Sequence, residues 1–120
     1  MVGVARVLLE KTSDAVLVVH VDTACVVLWN PAAEALFGYS GEEAYGMPIE
    51  LLIPESIRPY HVAGFRRFQE TDQADTFSAK HPSKLTILTK QGEEIRVYGT
   101  LSRVEGAPVR YVMTTFRRRL

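Results

Sequence analysis

Apolar residues recur along the chain first at a helical spacing, then at a strand spacing. Val4, Val7 and Leu8 before Lys11 mark a short amphipathic helix over residues 1–12, packed on the flank of the domain or forming a dimer contact. Ala15–Val21 and Ala24–Trp29 are β-branched, apolar runs separated by Asp22-Thr23, a hairpin of two well-buried strands. Asn30-Pro31 supplies an N-cap and a proline at the first helical position, which opens a short helix through Phe37 that stops at Gly38. Ser40-Gly41-Glu42-Glu43 has the spacing of a capping box and starts a second short helix ending near Gly46. After an apolar turn at Ile49–Ile53, Pro59 opens a longer helix to about Gln69, with His61, Phe65 and Phe68 on one face. Thr71–Pro82 is polar and without periodicity, and reads as a loop. Lys84–Lys90, Glu94–Val104 and Val109–Arg117 are strand-like, separated by turns at Gln91-Gly92 and Glu105-Gly106, and predict an antiparallel meander.

The 120 residues, 47% of them apolar, suit one α+β domain spanning 1–120. Fourteen basic residues balance fourteen acidic ones, so no global field favours nucleic acid or an anionic membrane. No apolar run approaches the ~20 residues that span a bilayer, and the first residues lack a signal-peptide pattern, so a cytoplasmic location is expected. Cys25 alone allows no internal disulfide or CxxC site and is expected to be a small buried hydrophobe. The terminal Arg117-Arg118-Arg119 run reads as a solvated chain end.

Within Glu94–Val104, Ile95, Val97, Gly99 and Leu101 share the face expected to point inward. A glycine inside a strand gives up packing, so Gly99 marks a bulge, a close approach or a ligand face. Gly38-Tyr39-Ser40-Gly41 misses the nucleophile elbow by one position, and no phosphate loop, HExxH or EF-hand pattern occurs. His20, His61 and His81 are too dispersed for a metal cluster, and no enzymatic activity is expected. His20 reads as a hydrogen-bonded strand histidine and His81 as solvated. His61 has two readings. It caps an apolar core, or, with Phe65 and Phe68 against a porphyrin, Gly64 permitting close approach and Arg66 or Arg67 pairing with propionates, it holds haem iron through Nε2.

The segment from Val27 through Trp29-Asn30-Pro31-Ala32-Ala33-Glu34 to Ser40 resembles the strand-to-helix signature of PAS domains, sensory modules of signalling proteins. The likeness continues at Leu52-Ile53-Pro54-Glu55 and Lys90-Gln91-Gly92-Glu93, and implies a five-stranded antiparallel sheet with short helices on one face. Pro54–Phe68 resembles the corresponding helix of haem-binding oxygen-sensor histidine kinases. That likeness implies haem b bound by His61, a propionate contact from Arg67, and a distal side lined by Gly99 and Leu101. It further implies sensing of a diatomic gas or redox change, and a partner or output domain; a homodimer is expected. The chain departs from the pattern near Ser83, where the resemblance places a distal arginine, and at Phe116–Leu120, where it places an aspartate after the last strand. The alternative is a PAS module that binds a small organic ligand or mediates dimerisation. A flavin photosensor is disfavoured because Cys25 reads as strand and no Asn-Cys-Arg motif occurs.

Overall fold

Asn30 shows how these local signals are joined. Its backbone is extended while its side-chain Oδ1 accepts from Ala33 N, Pro31 follows at the first helical position, and Gly38 closes the helix in the left-handed conformation at φ 86°. The computed structural model describes residues 2–72, 82–104 and 108–119. The elements are α1 (Val2–Lys11), β1 (Ala15–His20), β2 (Cys25–Trp29), α2 (Pro31–Phe37), α3 (Gly41–Ala44), α4 (Arg58–Thr71), β3 (Ser83–Leu88), β4 (Glu94–Val104) and β5 (Tyr111–Arg118), with 3-10 turns at Ile49–Leu52 and Glu55–Ile57. The capping box at Ser40 and Glu43 forms as expected.

All five strands join one antiparallel sheet in the order β2-β1-β5-β4-β3. β3, β4 and β5 form the expected meander, and β5 pairs with β1 from Ala15 opposite Phe116 to His20 opposite Tyr111. The inward face of β4 is as the alternation predicts, with Ile95, Val97 and Gly99 buried. Leu17, Val26, Phe37, Leu52, Phe68, Ile87, Val97 and Phe116 meet in one core between sheet and helices. The short helices α2 and α3 bury their apolar stripes against this sheet face.

Four expectations differ. β2 is an edge strand with only Val26 buried: its second edge meets the 46–49 segment rather than another strand, with Val26 N donating to Met47 O, Gly46 N donating to Val26 O and a bridge from Cys25 to Pro48, and its register with β1 slips between Val18 and Val19. Cys25 is accordingly half-buried rather than buried, its thiol 3.3 Å from Thr23 O. Val4, Val7 and Leu8 of α1 do not pack on the flank: they are 58%, 52% and 65% exposed, while the other side of the helix offers Leu9 O to Asn30 Nδ2 at 3.0 Å. α4 runs two residues past the expected end, to Thr71, where Asp72 caps it in a left-handed conformation at φ 60°. Residues 73–81 of the Thr71–Pro82 loop, His81 among them, and the Glu105-Gly106 turn lie outside the described residues.

Candidate functional site

α4 is fixed at both ends before any side chain on it acts. At its start the Arg58 guanidinium donates to Ile53 O at 3.0 Å. At its end Gln69 Nε2 donates to Val21 O at 2.7 Å, and Arg110 Nη2 donates to Gln69 O at 3.0 Å and to Asp22 Oδ1 at 2.7 Å. The helix therefore lies at a set depth over the sheet, tied to the β1–β2 connection and to the residue preceding β5.

The expected aromatic stripe forms. His61 stacks on Phe65 at 6.2 Å between ring centroids, Phe65 contacts Phe68 at 6.2 Å, and Phe68 is buried in the core with Phe65 packed against it. This is the i, i+4, i+7 row of a helix. The His61 side chain is 33% exposed, yet its Nδ1 is fully covered and has no hydrogen-bond partner among the described residues. The exposed part of the side chain is thus away from Nδ1. Burial pushes the imidazole below its ordinary pKa, and the Glu50 carboxylate, 3.8 Å from Nδ1, pulls in the opposite direction more weakly. Burial thus favours the neutral imidazole, the form that can ligate a metal.

Gly64, Arg66 and Arg67 lie on the exposed side of α4, and a Cβ at Gly64 would meet nothing within 4 Å. Across the core, Gly99 is buried and Leu101 half-buried on the inward face of β4. The strand pairs on both sides without a bulge at Gly99, so the reason for glycine is close approach: a Cβ there would lie 2.5 Å from Leu85 Cδ1 and 3.3 Å from two ring carbons of Phe116. In this conformation Leu85 occupies the space expected to admit a ligand beside Gly99. Two open clefts, of about 530 and 420 Å³, instead lie along α1, the larger between Leu9, Trp29 and Glu34. Among the described residues no cluster of three or more His, Cys, Asp or Glu side chains is placed to hold a metal ion, so a metal here would rely on one protein ligand within a larger group.

The donor set fits haem iron in that sense: one neutral imidazole backed by an aromatic row, with two arginines at the exposed helix surface. Leu85 would have to turn aside. Two residues escaped the sequence reading. Leu85 was accessible to it, because a turn at Gln91-Gly92 that aligns Leu88 with Glu94 also aligns Leu85 with Val97, on the face of Gly99. Glu50 was not, because nothing in the spacing of Glu50 and His61 says that the 3-10 turn Ile49–Leu52 folds against α4.

A family model described as PAS fold matches residues 5–119. The chain is 34% identical over 92 residues to the oxygen sensor protein DosP of Escherichia coli (strain K12), a match covering 77% of this chain and 11% of DosP. Its fold is also that of a PAS domain from Colwellia psychrerythraea, with a TM-score of 0.79 and 18% identity over 98% of this chain and 96% of that one. An RNA-binding light-oxygen-voltage receptor superposes equally well, at a TM-score of 0.79 and 21% identity, covering 98% of this chain and 33% of the receptor. Among the described residues no helix is long and apolar enough to cross a membrane.

Proposed function

The chain belongs to the PAS family, and we propose that it is a sensory domain that holds haem b through His61 Nε2 and responds to a diatomic gas or to redox state. The observation that carries this reading is the setting of His61: stacked on Phe65, with Nδ1 covered so that the exposed part of the side chain lies away from it, and with burial favouring its neutral form. Similarity to an oxygen sensor supports it. Haem iron, when bound, supplies a site for a diatomic ligand and for one-electron redox change.

Phe65 and Phe68 would give the apolar wall, Arg66 and Arg67 the cations facing carboxylates at the protein surface, and Gly99 and Leu101 the opposite wall, with Gly64 leaving the helix surface open. Leu85 and Phe116 meet at Gly99, so any occupant of that space pushes on β3 and β5 together. The strain passes along the sheet to β1 and the attached α1, through Asn30 Nδ2 and Leu9 O, which is a route to a partner or output domain. A second reading, a module that dimerises without haem, is favoured by the exposed Val4, Val7 and Leu8 face of α1.

The test is an absorption spectrum of protein produced with ample haem, reduced and oxidised, beside His61→Ala. A Soret band lost or shifted in the variant is expected. Its absence in the parent, or an identical band in the variant, would overturn the assignment.

A further inference from the structure

We propose that Glu50 is a positioning residue for His61: its carboxylate holds the imidazole as the Nδ1–H tautomer and so leaves the lone pair on Nε2. What Nε2 then binds rests on the haem reading above, whereas the position of the ring proton belongs to the apoprotein and is measurable without any ligand.

A neutral imidazole carries one proton, and the nitrogen that carries it is set by the hydrogen bond available to it. At His61, Nδ1 is covered, has no hydrogen-bond partner among the described residues, and faces Glu50 Oε1 at 3.8 Å. Glu50 stands on the 3-10 turn Ile49–Leu52, whose Ile49 and Leu52 are buried and hold the turn in place. The Glu50 side chain is itself only 22% exposed, so water does not easily supply a competing donor. Closing from 3.8 Å to a hydrogen bond of ~2.9 Å is a movement of about 1 Å, within the reach of a glutamate changing its outer torsions. A bare lone pair on Nδ1 would instead face an anion across a dry gap, the costly alternative. Carboxylates placed behind a ligating histidine in this way fix the tautomer, orient the ring and raise its basicity.

The experiment compares the full chain with Glu50→Gln and Glu50→Ala near neutral pH. Long-range proton–nitrogen correlation spectra of the apoproteins read the His61 tautomer, and haem titrations followed at the Soret band read affinity. Wild type is expected as Nδ1–H. Glu50→Gln, near-isosteric and still able to accept through its amide oxygen, is expected to keep that tautomer in part, and Glu50→Ala to shift toward Nε2–H. Haem affinity should fall 10–100-fold in Glu50→Ala, the usual effect of removing such a partner, and the midpoint potential should rise in both variants as negative charge behind the ring is lost. An Nε2–H ring in wild type, or a tautomer unchanged in Glu50→Ala, overturns the assignment. If neither wild type nor the variants take up haem, the haem reading fails while the tautomer comparison still decides the role of Glu50. If Glu50→Ala loosens the turn, Glu50→Gln carries the comparison of potentials.

Discussion

Replacing Asn30 by alanine removes one side chain and disconnects three elements. Asn30 is 3% exposed. Its Oδ1 accepts from Val16 N at 2.8 Å and from Ala33 N at 3.0 Å, and its Nδ2 donates to Leu9 O and Asp14 O, both at 3.0 Å. Loss of the α2 cap costs about 1 kcal/mol. Stranding the buried Val16 N–H costs a further ~1–3 kcal/mol. The two carbonyls lie in partly buried surroundings and add less. The sum is about 3 kcal/mol, a large share of the ~5–15 kcal/mol that holds a domain together. With a urea m-value of about 2 kcal/mol/M, the midpoint should fall by roughly 1.5 M. Asn30→Ser should recover about 1 kcal/mol, since a serine can cap α2 but is too short to serve β1 as well. Asn30→Asp keeps both acceptor contacts yet sets oxygen against two carbonyls, and is expected to be no better than serine. Urea unfolding followed by circular dichroism checks the series. A midpoint for Asn30→Ala within about 0.3 M of wild type at unchanged m-value would refute the reasoning that Asn30 joins α1, β1 and α2.

Gly99→Ala should cost about 1–3 kcal/mol from overpacking against Leu85 and Phe116, and Leu85→Ala in the same chain should relieve part of it; additive losses in the double-mutant cycle would count against the contact. The hydrogen bond from Lys90 Nζ holds the Glu43 carboxyl below its ordinary pKa of 4.5. A lowered carboxyl pKa stabilises the fold above the ordinary value, and that contribution is lost as pH falls through the lowered one. The acid limb of the thermal stability profile should therefore flatten slightly in Lys90→Met, and an unchanged limb would show that the exposed pair contributes nothing.

Much of the architecture was legible because its signals are local. Asn30-Pro31, the Ser40 to Glu43 box, the alternation along Glu94–Val104 and the 61, 65, 68 stripe each depend on neighbours within a few residues, and each forms where the pattern put it. The PAS signature supplied the global frame. Tertiary structure decided the rest, since its contacts join residues that no period connects. β1 lies beside β5 rather than at an edge, Arg110 reaches Asp22 and Gln69, and Leu85 lies across the open face of Gly99. His61 shows the division most clearly. Its helix, its aromatic neighbours and its candidacy as a ligand are written in the sequence, but the burial that lowers its pKa and the carboxylate placed behind Nδ1 exist only once the turn at Ile49–Leu52 folds against α4.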